Sequence, residues 1–265
     1  MSDAVLFTVD EGLARLTLNR PASLNAFNAE VAHAWRDATT EAVSRDDVGA
    51  ILIDARGRAF CAGGDVREMA TNTGSGAELT AFARVINDGI LALTSSAIPV
   101  VAAAHGTTAG GGLGILMCSD YAVVGGRSQI GSLYANIGLT PDLSVSAQLA
   151  RAIGERRALQ LVLQDRLLTA SEAQEWGLAA EVVEADDAEA EADAVRARAE
   201  QIARFWLAGA AAAYGQAKRL VRSQPARGFA EQLEEEAVTI GASFDTPDAA
   251  ARIAAFAAAS ARTGR

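Results

Sequence analysis

Hydrophobic and polar positions alternate at the start of the chain and then change period. Val5-Leu6-Phe7-Thr8-Val9 and Leu13-Ala14-Arg15-Leu16-Thr17-Leu18 read as two strands joined by a turn at Asp10-Glu11-Gly12, a hairpin. From Ala29 to Val43 the apolar positions Val31, Ala34, Trp35, Ala38 and Ala42 recur at helical spacing, behind Asn28, whose side chain suits a helix cap. Ala50-Ile51-Leu52-Ile53 is a short unbroken apolar run, the kind buried on both faces of a sheet. Residues 71–78 are polar and glycine-rich, which predicts a mobile loop before a helix from about Glu78 to Ser95. Ile98 to Ala104 reads as another buried strand, the residues up to Cys118 as a helix, and Tyr121 to Val124 as a further strand. Strands alternating with helices predict an α/β core with βα crossovers.

After residue 140 the pattern turns helical. Asp142 can cap a helix running to about Ile153, a second spans Glu155 to Leu163, and Ser171 can cap a third from Glu172 to Trp176, ended by Gly177. A long helix covers about 187–206, and the tail over 210–262 is helical with an apolar stripe at Phe229, Leu233, Val238 and Ile240. The alanine-rich stretches Ala210 to Ala213 and Ala257 to Ala259 read as ordinary helix, alanine being the best helix former. No repeat of fixed period is visible.

Two glycine-rich stretches punctuate this pattern: Ala59-Phe60-Cys61-Ala62-Gly63-Gly64-Asp65 and Ala104-His105-Gly106-Thr107-Thr108-Ala109-Gly110-Gly111-Gly112. Each follows a strand-like run and opens a helix-like one. Two such turns can aim two backbone N–H groups at one point, which is what acyl-transfer or enolate chemistry needs to hold a negatively charged thioester oxygen.

Charge and composition narrow the classes. With 23 basic against 33 acidic residues, a net charge of -10, the surface argues against nonspecific binding to nucleic acid or to an anionic membrane. Two cysteines, Cys61 and Cys118, make no disulfide framework and fit a reduced cytosolic setting. The N-terminus has no basic segment followed by a long apolar one, and the apolar runs are too short or too glycine-rich to span a bilayer, so the expectation is a soluble cytoplasmic protein. With two histidines, no metal site has convincing ligand spacing and no Ser-His-Asp constellation is readable.

Several segments together resemble the crotonase superfamily, the enoyl-CoA hydratase/isomerase enzymes. They are Asn19-Arg20-Pro21 with Leu24-Asn25-Ala26, Phe60-Cys61-Ala62-Gly63-Gly64-Asp65 and Gly106-x-x-x-Gly110-Gly111-Gly112. Gly154-Glu155-Arg156-Arg157-Ala158-Leu159, Leu168-Thr169-Ala170-Ser171-Glu172-Ala173 with Gly177-Leu178, and Phe244-Asp245-Thr246-Pro247-Asp248 follow in the expected order, so the resemblance covers nearly the whole chain. It implies a ββα-spiral core, here residues 1–205, and a helical C-terminal region, 206–265, that assembles a homotrimer or a dimer of trimers. It also implies an acyl-CoA thioester substrate, with no permanently bound cofactor and coenzyme A entering as part of the substrate.

The resemblance assigns the oxyanion-holding N–H groups to Gly64 and Gly111. Glycine at 64 leaves the approach of a thioester carbonyl clear, and Gly111 stands at a helix start with free N–H groups. Taken alone, either glycine is equally a tight-turn residue. The family's coenzyme A contacts fall on Ser23 and Ala26, near the nucleotide, and on Ala62, Gly64, Asp65, Val66, Arg67 and Gly111. Asp65 also reads as a helix N-cap, and Arg67 as either a phosphate partner or a solvated cation.

The departures from the family matter most. Its hydratases carry two glutamates, and the matching positions here are Gly114 and Tyr134. Hydration needs water activated and a carbon protonated, two tasks usually shared by two groups. Ile137-Gly138-Leu139-Thr140-Pro141-Asp142 resembles the stretch in which some enoyl-CoA isomerases carry one acid. A double-bond shift needs one base, taking a proton from C2 and returning it to C4. The reading is therefore an enoyl-CoA isomerase with Gly64, Gly111 and Asp142 as catalytic residues. The alternatives are a hydratase with non-standard acid and base, or a silent acyl-CoA-binding homologue. Asp142 remains either base or helix cap. Tyr134 is expected in the acyl-pocket wall, His105 in the pocket wall or core, His33 at the surface or in packing, and Cys61 as a small buried hydrophobe.

Overall fold

In the computed structural model, which describes residues 2–164 and 166–263, the opening alternation forms the hairpin β1 (Val5–Asp10) and β2 (Leu13–Leu18). Met1, where the N-terminal reading begins, and residues 264–265, where the C-terminal region ends, lie outside the described residues. Helix α1 (Ala29–Ser44) starts where Asn28 accepts a hydrogen bond from the Val31 N–H, as its sequence predicts. Strand β3 (Ala50–Ala55) follows, then α2 (Val66–Asn72), whose first turn is capped by Asp65 accepting from the Glu68 N–H. Helix α3 (Gly76–Ser95) begins earlier than its composition suggests. Ser75 caps it by accepting from the Glu78 N–H, so the expected loop over 71–78 shrinks to the joint between two capped helices. Ser75 sits inside a polar, glycine-rich stretch that reads as loop by composition, although it starts a helix.

The chain then repeats one unit. Strand β4 (Val100–Ala104) leads to β5 (Thr107–Ala109) and α4 (Gly111–Met117). Strand β6 (Tyr121–Gly125) leads to β7 (Gln129–Gly131), a 3-10 turn at Tyr134–Ile137, and α5 (Val145–Ile153). Helix α6 (Glu155–Val162), β8 (Leu168–Thr169), α7 (Ala170–Trp176) and β9 (Glu181–Val183) complete the core. The cap of α7 is Thr169, in a reciprocal box with Glu172, and not Ser171, which lies inside the first turn. The Thr-x-x-Glu spacing is itself the signal, and it outranks a serine two residues later.

The main sheet runs β1-β2-β3-β4-β6-β9, antiparallel only at the hairpin, and a smaller sheet runs β5-β7-β8. Each repeat of the unit thus visits the main sheet, then the small sheet, then a helix. The first repeat joins the small sheet through one bridge, Cys61 to Thr108. This is the expected ββα spiral. The central strands are unbroken apolar runs because both faces are covered. Ile51, Ile53, Val100 and Ala102 pack into the larger core, with Trp35 and Ile86. Ala50, Leu52, Val101 and Ala103 pack against Val195, Ala199 and Ala203 of α8 (Ala188–Ala208).

Three further helices follow: α9 (Ala211–Ser223), α10 (Phe229–Phe244) and α11 (Pro247–Thr263). Helix α9 is fastened to the core by the buried Lys218, which donates to the carbonyls of Leu93 (2.7 Å) and Ile98 (2.6 Å) and pairs with Asp120 at 3.1 Å. The predicted stripe on α10 is real but faces outward: Phe229 is 78% and Ile240 72% exposed, with Leu233 and Val238 also exposed. Among the described residues no helix is long and apolar enough to cross a membrane.

Candidate functional site

Consecutive repeats of the spiral bring the two glycine turns side by side. The Cys61 N–H donates to the Thr107 carbonyl (3.2 Å) and the Ala109 N–H to the Cys61 carbonyl (3.0 Å), so the first turn runs as a strand beside β5. On its other side Phe27 donates to Gly63 O (2.8 Å) and accepts from Asp65 N (2.9 Å). Gly63 has φ of 104°, and a Cβ there would stand 2.9 Å from the Ala109 carbonyl and 3.3 Å from the Gly111 nitrogen. Only glycine permits both that conformation and that approach. Among the described residues, neither the Gly64 N–H nor the Gly111 N–H finds a hydrogen-bond acceptor.

Both glycines line one cavity of about 640 Å³, together with Ala62, Val66, Tyr134 and Asp142. Leu79, Phe82, Ile86, Leu133 and Leu143 make much of its wall apolar. Met69 covers Gly64, since a Cβ at Gly64 would meet the Met69 Cε at 2.3 Å, and Leu143 covers Gly111, its Cδ1 standing 2.7 Å from a Cβ placed there. Asp142 and Arg84 are the charged side chains of this wall.

Asp142 does not cap α5. That helix starts at Val145 behind Ser144 in a left-handed conformation (φ 67°), with no side-chain cap bond. The Asp142 carboxylate instead accepts a hydrogen bond from the Tyr134 hydroxyl at 2.5 Å. The residue is exposed at the cavity mouth. Its carboxyl is nevertheless set against the walls, and that desolvation pushes its pKa above the ordinary aspartate value, with the Tyr134 bond partly opposing the rise. Burial and the neighbouring Asp142 push the Tyr134 phenol well up, so it stays a neutral donor.

Gly114 explains how Asp142 arrives there. A Cβ on Gly114 would stand 2.1 Å from the carbonyl oxygen of Leu143. The turn carrying Asp142 therefore rests directly on the backbone of α4, and no side chain fits between them.

The residues expected to hold coenzyme A divide into two groups. Ala62, Gly64, Val66 and Gly111 line the cavity. Ser23, Ala26, Asp65 and Arg67 do not line it. Arg20 holds Ser23, Ala26 and Asp65 together, accepting the Ser23 N–H on its carbonyl (3.1 Å) while its guanidinium donates to the Ala26 carbonyl (3.0 Å) and to the Asp65 carboxylate (2.7 Å). That pairing holds the Asp65 carboxyl below the ordinary aspartate range against its partial burial. Arg67 is exposed, and its guanidinium has no ion-pair partner among the described residues.

His105 is core, not wall: it is 2% exposed, its Nε2 meets the Gly57 carbonyl at 2.7 Å, and burial lowers its pKa. His33 is at the surface. Cys61 is buried, and desolvation pushes its thiol up to about 12, so it packs as a small hydrophobe. The Tyr134–Asp142 bond and the lids formed by Met69 and Leu143 have no signal in the pattern of the chain, because they join positions with no shared period.

Residues 8–259 match the family profile described as enoyl-CoA hydratase/isomerase. The chain is 33% identical over 254 residues to a probable enoyl-CoA hydratase of Mycobacterium bovis, covering 96% of this chain and 95% of that protein. It is 32% identical over 239 residues to the 1,2-epoxyphenylacetyl-CoA isomerase of Escherichia coli, covering 89% and 88%. A solved structure of a putative enoyl-CoA hydratase/isomerase from Mycobacterium abscessus superposes with a TM-score of 0.87 at 30% identity, covering 96% of each chain.

Proposed function

The chain belongs to the enoyl-CoA hydratase/isomerase family, whose members act on CoA thioesters, and from that premise we propose that it is an enoyl-CoA double-bond isomerase. The observation that carries this reading is a single carboxylate, Asp142, on a cavity that also presents the free N–H groups of Gly64 and Gly111. The thioester oxygen sits between the two N–H groups. Asp142 takes a proton from C2 of a 3-enoyl thioester, and the C–H electrons pass through the carbonyl carbon to give a dienolate oxygen. The electron pair then returns as the same carboxyl delivers its proton to C4, leaving the double bond at C2–C3. Each oxyanion donor is worth about 10²–10³ in rate. The raised pKa of Asp142 supports its role as base, because a stronger base matches a weakly acidic carbon better.

Ser23, Ala26, Ala62, Gly64, Asp65, Val66, Arg67 and Gly111 hold the coenzyme A part of the substrate in this reading, and nothing else need be permanently bound. The likeness to a probable enoyl-CoA hydratase favours a second reading, hydration by other groups. Parallel assays on 3-hexenoyl-CoA and crotonyl-CoA separate them. Isomerisation is expected to dominate, and hydration of crotonyl-CoA at the faster rate would overturn the proposal. Tight coenzyme A binding without turnover of either would mark a silent homologue.

We also propose that residues 206–265 form the helical region through which a homotrimer or a dimer of trimers assembles around the spiral core of residues 1–205. The exposed apolar residues Phe229, Ile240, Phe244 and Phe256 on α10 and α11 support it. Light scattering is expected to give three or six times the chain mass, and a monomer at micromolar concentration would sink this assignment.

A further inference from the structure

We propose that Tyr134 is a positioning residue: its hydroxyl holds one oxygen of the Asp142 carboxylate so that the other is aimed at the substrate from one side throughout the proton shuttle. This rests on the reading of Asp142 as the base. The hydrogen bond, Tyr134 Oη to Asp142 Oδ1 at 2.5 Å, is the one side-chain bond the carboxylate receives among the described residues.

The two partners are anchored very differently. The Tyr134 ring packs against the main hydrophobic core and follows directly from β7, whose strand pairing ends at Gly131. Its carbonyl is fixed by the Leu139 N–H at 3.1 Å. The Asp142 side chain is exposed, although the turn carrying it, which continues through Leu143 and Ser144 in left-handed conformations (φ 47° and 67°), rests on α4. A carboxylate on such a turn samples several rotamers unless something holds it, and a core-anchored phenol does so. The shuttle makes this matter, since one carboxyl must reach C2 and then C4 without turning away. A base misplaced by about 1 Å loses on the order of 10²-fold in rate.

The charged and titratable groups around the pair are few. Arg84 of α3 lines the same cavity, and Cys61 lies behind the first glycine turn as a neutral thiol. Neither contributes to the Asp142 shift, which comes from desolvation opposed by Tyr134 and by the aspartate's own backbone N–H. Removing the hydroxyl therefore removes a contact that favours the charged carboxylate, and the aspartate pKa rises. Activity depends on the deprotonated form, so the acid limb of the kcat profile moves to higher pH.

The test is Tyr134→Phe, which deletes one oxygen and leaves the ring in the core. The expected result is a fall in kcat of about 10- to 100-fold with KM nearly unchanged. An upward move of the acid limb should accompany it. Carboxyl NMR of 13C-aspartate-labelled protein, assigned with Asp142→Asn, should show the Asp142 titration displaced upward in the Phe variant. An unmoved kcat, or an unmoved Asp142 titration, overturns the positioning role and leaves Tyr134 as pocket wall. Failure of the isomerase reading looks different: Asp142→Asn then keeps its turnover, whatever the Phe variant does.

Discussion

Asp142→Asn is expected to lower kcat for 3-enoyl-CoA isomerisation by about 10²- to 10⁴-fold if Asp142 is the base proposed above, the range that follows removal of a positioned general base. The amide keeps the shape of the side chain and can still meet the Tyr134 hydroxyl, so the cavity is preserved. What it loses is the ability to take a proton. KM is expected to change little, because in the proposed reading the Gly64 and Gly111 N–H groups hold the thioester and residues outside the Asp142 turn hold the coenzyme A part. The stability of the fold should stay within about 0.5 kcal/mol of the parent, since Asp142 is exposed, its side chain makes no bond to a helix end, and its carbonyl, which accepts from the Val145 N–H, is kept in the variant. Steady-state kinetics with a 3-enoyl-CoA and a denaturant titration check both halves. Turnover within threefold of the parent would remove Asp142 from the mechanism.

The second large effect concerns a glycine, Gly114, that does not line the cavity. Gly114→Glu restores the residue type found in the family's hydratases, yet it should abolish isomerase activity without creating a hydratase. A Cβ there would stand 2.1 Å from Leu143 O and 3.1 Å from both Leu143 C and Leu143 Cβ. The first of these is a backbone atom, so no rotamer change relieves it. The Leu143–Ser144 turn has to move, and Asp142 moves with it. Gly114→Ala should show the same effect in milder form. Overpacking of this kind costs about 1–3 kcal/mol in stability, measurable as a lowered denaturation midpoint. In activity it should appear as a loss in kcat larger than any change in KM. A Gly114→Glu variant that hydrates crotonyl-CoA steadily would show that the space is available after all, and the account of why this chain lacks the usual acid would fail.

These two predictions separate what pattern alone reveals from what it hides. The hairpin, α1 and the buried central strands were readable because each rests on a local rule: a turn dipeptide, a cap, a period. The glycine turns were readable for the same reason. The N-cap reading of Asp65 matches the start of α2, whereas the start of α3 is hidden because Ser75 caps it inside a stretch, 71–78, whose composition says loop. The α7 cap was assigned to Ser171 although Thr169 and Glu172 form the reciprocal pair. The helix-cap reading of Asp142 failed for a different reason. Pro141-Asp142 looks like a helix start, but two left-handed residues intervene, and Tyr134 claims the carboxylate. That outcome depends on Leu143 resting on Gly114, a contact between residues 29 positions apart in sequence order. No local rule reports it. Nor could the outward direction of the α10 stripe be read, since a core face and an assembly face have the same period.

The spiral has a consequence for how such a protein can change. Its first two repeats are laced together by the bonds of Cys61 with Thr107 and Ala109, and that lacing sets the two backbone donors. The third repeat leaves the ladder at Gly131, and Asp142, the proposed base, with its partner Tyr134 comes after that point. In the proposed reading, substitutions at these two positions would alter which proton is moved while the two backbone donors keep their places. A spiral built this way would let evolution vary the reaction and inherit the two donors unchanged.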